Sequence, residues 1–179
     1  MTARPADLEE LTYLSFVDYA VAKTADALPS IDPTAMRLVL TLHRVTSALV
    51  YDLESSVHRP NGSSWPGFRV MFALWVAGPQ ESKRVAELSG MSRAAVSALV
   101  KTLERDGLVR RAQAAHDRRA VQLSLTEAGR QTIARVFQAH NEREQAWASV
   151  LSEDERATLI GLLEKLMHST EATASKKRF

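Results

Sequence analysis

Two adjacent arginines, Arg118 and Arg119, follow Asp117 in the stretch HDRRAVQLSLT, residues 116–126, and lead into alternating apolar and polar residues. Guanidinium groups held out on a short turn suit contact with anions: a phosphate, or the negative floor of a narrow DNA groove. The same pair on an ordinary hairpin is a solvated tip, so the surrounding charge has to be weighed. Lys83, Arg84, Arg93, Lys101, Arg105, Arg110, Arg111, Arg118 and Arg119 are nine bases within residues 83–119, against four acids, Glu87, Glu104, Asp106 and Asp117. That segment carries +5 in a chain of net charge +2, which leaves −3 for the remainder. Concentrated positive charge is the footprint expected of a nucleic-acid contact.

Catalytic chemistry finds less to work with. None of the five histidines sits in a metal-spaced cluster, and there is no glycine-rich phosphate loop or nucleophile elbow. The chain has no cysteine, which excludes disulfides, thiolate metal sites and cysteine redox sensing. His43 and His140 fall on separate long helical stretches and would need nearby carboxylates to share a metal. The expectation is a protein that is not an enzyme and holds no metal or cofactor. At 45% hydrophobic and 25% charged residues the composition is globular. No apolar run approaches the roughly 18 residues of a membrane helix, so no membrane partner is expected. The start, MTARPADLEEL, lacks the basic-then-apolar layout of a secretory leader, and the expected location is cytoplasmic.

The elements that must carry the basic segment can be read from periodicity. Leu8, Leu11, Leu14, Val17, Val21 and Leu28 form a helical stripe, with Tyr13, Phe16 and Tyr19 beside it. Pro29 interrupts, Asp32 is placed to cap, and Pro33 suits the first turn of a long helix running to about Val57. That helix is apolar on more than one face and is expected to be buried between partners. The turn HRPNGSSWPG precedes a buried helix, FRVMFALWVAG. Two short helices follow, capped by Ser82 and Ser92 and stopped by Gly90 and Gly107. LVRRAQ and AVQLSL read as a two-stranded hairpin in which Val121, Leu123 and Leu125 share the inner face. Thr126 caps another long helix, and Ser152 with Glu155 forms a capping box for a last one that turns Leu159, Leu162, Leu163 and Leu166 inward.

A helix that enters a major groove about 12 Å wide needs short or hydrogen-bonding side chains on its outer face. The helix after Ser92 offers Arg93, Ala94, Ser97 and Lys101 outward, with Val96, Leu99, Val100 and Leu103 inward. Arg93, in the first turn, is placed to read a base edge; Ser92 and Ser97 either contact the DNA or serve as cap and solvated surface. Lys83 and Arg84 open the preceding helix, where they suit phosphate, while Val85, Ala86 and Leu88 face inward.

The segment VAELSGMSRAAVSALVKTLERDGLVRRAQAAHDRRAVQLSLTEAG resembles the winged-helix core of the MarR (multiple antibiotic resistance regulator) family. The matching marks are Leu103, Glu104, Gly107, Leu108, Val109 and Arg111, then Asp117 and Arg119, then Val121, Leu123, Leu125, Thr126 and Gly129. The resemblance is closest over residues 82–129 and looser over 33–168. It implies a mainly α fold with a small β-wing: a winged helix–turn–helix lobe, 81–125, flanked by long dimerisation helices, 33–80 and 126–170. An N-terminal helical extension, 1–32, and a flexible basic tail, 171–179, complete the expected layout.

Further implications are a homodimer, a pseudo-palindromic double-stranded operator and, usually, repression. Arg119 would enter the minor groove, Asp117 would orient the local arginines, and Arg118 would either pair with Asp117 or touch phosphate. The family also implies a small aromatic or phenolic effector between the dimer helices and the DNA-binding lobe. Val39, His43, Trp65, Phe68 and Met71 are placed to line such a pocket, although each residue type is equally at home in a core. The urate-responsive branch carries an aspartate in the second helix where this chain has Arg69, so urate is not implied. A helical protein-interaction module with a basic face and a metal-responsive regulator are the other readings the residues allow. Arg119→Ala is expected to weaken operator binding strongly while leaving the melting temperature within a degree or so of wild type; a large fall in stability would make Arg119 a structural residue instead.

Overall fold

The computed structural model describes residues 11–13, 15–113 and 121–176. The chain forms two compact units, Met1–Asp52 and Leu53–Phe179. In the first, α1 (Ser15–Ala27) and α2 (Pro33–Leu53) are linked by polar contacts. Arg44 on α2 lies over the rings of Tyr13 and Phe16, 4.2 and 5.0 Å from their centres, and donates to the Tyr13 carbonyl. The Tyr13 hydroxyl returns a hydrogen bond to the Arg44 carbonyl at 3.1 Å, and Arg37 pairs with Asp18. Asp32 caps α2 as expected, accepting from the Thr34 and Ala35 amides at 2.9 and 3.0 Å. The breadth of α2's apolar surface is not buried within the described part of its unit: Leu38, Val39, Val45 and Tyr51 are exposed, and Leu53 is the helix's single buried residue.

The second unit opens on a π-helical turn, Glu54–His58, and a 3₁₀ turn, Arg59–Asn61, that continue α2. α3 (Trp65–Ala77) starts three residues before the expected Phe68, because Ser64 caps it by accepting from the Gly67 amide and Pro66 fits its first turn. α4 (Ser82–Ser89), α5 (Arg93–Arg105), α6 (Glu127–Ala148), α7 (Glu153–Met167) and α8 (Thr170–Lys176) follow in order. α8 is helical where the sequence suggests a tail without regular structure.

The wing contains one strand more than expected. β2 (Val109–Gln113) pairs antiparallel with β3 (Val121–Leu125), and β1 (Gln80–Glu81) pairs with the other edge of β3 through Gln80 opposite Leu123 and Glu81 opposite Gln122. Two residues are too short a run to show an alternating pattern. The same pairing moves the cap of α4 from Ser82 to Glu81, since the chain passes straight from the sheet into the helix, and no side chain caps it. Leu123 and Leu125 are buried as expected, but Val121 is 47% exposed at the far end of the ladder opposite Gln113.

α3 is the centre of this unit and packs against α4, α5, α6 and β3. The core gathers Val70 and Leu74 from α3, Val85 from α4, Val96 and Val100 from α5, Leu123 from β3, and Ile133 and Val136 from α6. By contrast α7 buries none of its residues: Leu159, Leu162, Leu163 and Leu166, expected inside, are 36–57% exposed, an apolar face left uncovered by the described residues of its own unit. Its predicted capping box is formed in full by Ser152 and Glu155.

The junction between β3 and α6 fixes the wing's base. The Thr126 hydroxyl donates to the Gly107 carbonyl at 2.6 Å and accepts from the Gly129 amide at 2.9 Å, and the Thr126 amide donates to the Leu108 carbonyl at 3.0 Å. A Cβ at Gly129 would stand 2.0 Å from that Leu108 oxygen, a backbone atom with no room to retreat. Gly129→Ala is therefore expected to destabilise the fold by about 2–3 kcal/mol, the cost of forced overpacking, seen as a lower midpoint in denaturant unfolding; an unchanged midpoint would show that the junction yields.

Candidate nucleic-acid interface

α5 presents the two faces its sequence suggests. Val96, Val100 and Leu103 are buried, while Arg93, Ala94, Ser97 and Lys101 are all exposed. Ser92 is half-buried and accepts from the Ala95 amide at 3.2 Å, so its oxygen is used as the cap of the helix. That cap leaves the first turn, with Arg93, facing outward beyond the lobe. Small side chains at Ala94 and Ser97 keep the outer face of the helix low, and Lys101 adds a cation one turn further on.

Around α5 the surface stays basic. Lys83 and Arg84 are exposed at the start of α4, Arg84 pairing with Glu87 at 2.9 Å. Arg111 on β2 pairs with Glu104 of α5 at 2.8 Å and Arg110 donates to the Ser124 hydroxyl at 3.1 Å, which ties the wing strands to each other and to the recognition helix. Asp117, Arg118 and Arg119 lie outside the described residues. Leu88, expected inside α4, is 43% exposed, and it borders a feature on the other side of α3.

That feature is a cleft of about 360 Å³ between α3, the end of α4 and α6. Trp65, Phe68, Phe72 and Val76 come from α3, Leu88 and Ser89 from α4, and Phe137 and His140 from α6, with Arg69 and Glu144 as its charged members. The aromatic rings are arranged in series: Phe72 stacks on Phe137 at 5.5 Å, Phe68 on Phe72 at 5.8 Å, and Trp65 on His140 at 5.5 Å. Such walls suit a flat ring. Trp65 and Phe68 thus stand in the cleft, as the sequence suggests. Met71 does not: one position before Phe72 turns it about 100° away on the helix, and it is buried in the core at 1% exposure. Val39 and His43 belong to the first unit, where both are exposed on α2.

Behind the cleft a second histidine, His58, is buried against His140. His58 is fully buried, with ring centres 4.7 Å from Phe68, 5.5 Å from Trp65 and 5.3 Å from His140. Neither of its ring nitrogens has a hydrogen-bond partner among the described residues, and the same holds for Nδ1 of His140, whose Nε2 lies 3.1 Å from Glu144. The His58 imidazole is pushed down to about 4, chiefly by burial and then by the neighbouring His140, with Glu54 working in the opposite direction. Glu54 also accepts from the Trp65 amide at 2.6 Å, so the π-turn that carries His58 is fastened to the start of α3. Among the described residues no three metal-ligating side chains lie together.

Comparison with known proteins places this architecture. The MarR family model matches residues 64–121, from the cap of α3 to the first residue of β3. An HTH-type transcriptional regulator of Bacillus subtilis, YwaE, is 32% identical over 144 residues, which cover 80% of this chain and 84% of that protein. The chain belongs to the MarR family. It is thus a DNA-binding transcriptional regulator and not an enzyme. The repressor CouR, solved on a 23-mer DNA duplex, shares the fold of this MarR regulator with a TM-score of 0.66 and 28% identity, over 73% of this chain and 92% of CouR. BpsR of Bordetella bronchiseptica, whose DNA binding is regulated by 6-hydroxynicotinic acid, has the same fold with a TM-score of 0.66 and 22% identity, over 73% and 98% of the two chains. No helix among the described residues of this MarR protein is long and apolar enough to cross a membrane.

Sequence reasoning missed Arg69, Phe72, Phe137, His140 and Glu144 as cleft residues, and His58 behind them. A usable signal existed for Arg69, the one charge within the otherwise apolar helix FRVMFALWVA, and for His140, which shares the apolar stripe of Ile133, Val136 and Phe137. Being held neutral, His58 favours the fold fully above the ordinary imidazole pKa of 6.5, and that contribution falls away as pH drops toward 4 because only the unfolded chain then takes up the proton. Melting temperature is expected to fall between pH 6.5 and 4, with a loss of the order of 3 kcal/mol from His58 at the lower limit. His58→Phe should flatten that part of the profile without loss at pH 7; a profile identical to wild type would show that His58 is not the group responsible.

Proposed function

We propose that this chain is a cytoplasmic homodimeric repressor which binds a pseudo-palindromic operator and releases it when a small aromatic acid occupies the cleft between α3 and α6. The observation that carries the reading is the outer face of α5: Arg93, Ala94, Ser97 and Lys101 are exposed together on a helix whose inner face is locked into the core. In a major groove, Arg93 reads a base edge and Ser97 and Lys101 support it, while Ser92 holds the first turn and Lys83 and Arg84 meet phosphates. Asp117, Arg118 and Arg119 would extend the wing into the neighbouring minor groove, with Arg119 the inserted residue.

A second copy of the chain would cover the apolar faces that α7 and α2 leave open, including Leu159, Leu162 and Leu166 on the former and Leu38 and Val45 on the latter. The dimer region would then be built from residues 33–80 and 126–170, with 81–125 as the DNA-binding lobe. The effector class is supported by the cleft's chemistry. Phe72, Phe137 and Trp65 offer ring faces, and Arg69 offers a cation for a carboxylate. BpsR, a protein of the same fold, responds to a ligand of this kind.

The test is genomic footprinting of the bound site followed by titration on that duplex and on random sequence. Expected are a preference of at least about a thousandfold for the footprinted site and a steep fall in affinity with salt. Arg93→Ala should relax base preference at one symmetric pair of positions, at a cost of about 1–3 kcal/mol. Equally weak binding to every duplex would overturn the operator reading in favour of a protein-interaction module with a basic face.

A further inference from the structure

Arg69 takes part in two places at once. It stands in the wall of the cleft, and its guanidinium also holds the turn of the helix–turn–helix: Nη2 donates to the Ser89 carbonyl and, at 3.2 Å, to the Gly90 carbonyl. These carbonyls sit where α4 ends. Gly90 adopts the left-handed conformation there, φ 62°, and its amide closes back on the carbonyls of Ala86 and Glu87. Two residues later Ser92 caps α5 and Arg93 begins it. A Cβ at Gly90 would lie 3.2 Å from Nη2, a tight contact that the bare glycine avoids where the guanidinium closes on the turn.

The electrostatics of this clasp are one-sided. Arg69 is half-buried, lies 5.8 Å from the Trp65 ring, and pairs with no carboxylate among the described residues. Its partners are neutral carbonyls at a helix C-terminus, where partial negative charge accumulates. A carboxylate forms shorter and stronger hydrogen bonds to a guanidinium than a carbonyl does, and its planar geometry matches the same N–H groups. An anion in the cleft and the α4–α5 turn therefore compete for one side chain.

We infer that Arg69 is the positioning residue that couples cleft occupancy to DNA binding: a carboxylate in the cleft draws its guanidinium from the Ser89 and Gly90 carbonyls, and the α4–α5 turn that aims Arg93 loosens. This rests on the reading of the cleft as an effector site. The coupling is reciprocal, so operator binding, which needs the turn closed, must weaken anion binding by the same factor. The clasp does not require that the anion touch α5 or the DNA.

The test uses the full-length protein on its footprinted operator, with 4-hydroxybenzoate and its uncharged amide as probes, and with Arg69→Met and Arg69→Lys as variants. For wild type, the benzoate is expected to weaken operator affinity about tenfold and to speed amide hydrogen exchange over residues 90–94, and the amide to do neither. Arg69→Met should show the weaker affinity and faster exchange without any probe, and respond no further. Arg69→Lys keeps the charge but cannot span both carbonyls; its affinity should fall between the two, which preserves the test if Arg69→Met does not fold. Wild-type affinity and wild-type exchange in the folded variants would overturn the clasp. If the variants behave as expected while wild type ignores the benzoate, the clasp stands and the assignment of an aromatic acid to the cleft is what fails.

Discussion

The burial of α3 is the constraint on which the second unit depends. Six of its thirteen residues are buried, and it packs against α4, α5, α6 and β3 at once. A helix in that position cannot shift without disturbing both the DNA-reading helices and the long α6. Its end is equally determined: Gly78 and Pro79 stop it, and the next two residues join the sheet as β1 before α4 begins. The helix–turn–helix is thus held from behind by α3 and from the side by the wing. The polar fastenings repeat the arrangement on a smaller scale: Glu54 accepts from the Trp65 amide at the start of α3, and Thr126 bridges the end of α5 to the start of α6.

Much of this was legible in the sequence, and what was legible is local. Asp32, Ser92, Thr126 and Ser152 cap the helices they were expected to cap, because an N-cap is decided by one side chain and two or three amides. The inner and outer faces of α5 followed from its period. The third strand was not legible, since Gln80 and Glu81 become a strand through pairing with β3, some forty residues later. Burial of α7 and α2 was read from periodicity alone, which marks a helix's apolar face without telling whether the same chain or another covers it.

The cleft illustrates the same limit. Trp65 and Phe68 were found because aromatic residues near a helix start draw notice. Phe137 and His140 come from α6, and only the fold brings them against α3. The sequence pattern puts His58 in a turn, yet the π-helical widening of the chain at Glu54–His58 carries it inward to a site where its ring is surrounded by Trp65, Phe68 and His140. A buried imidazole without a hydrogen-bond partner is costly, and no sequence pattern announces one.

The division of labour along α5 has a consequence for how such a protein changes over generations. Val96, Val100 and Leu103 hold the helix, and Ser92 sets its first turn; Arg93, Ala94, Ser97 and Lys101 make no contact on which the core relies. Substitutions at those four places leave the packing of α5 untouched, so the chemistry of its outer face is free to change while the scaffold is kept. The framework is inherited, and the face it presents is rewritable.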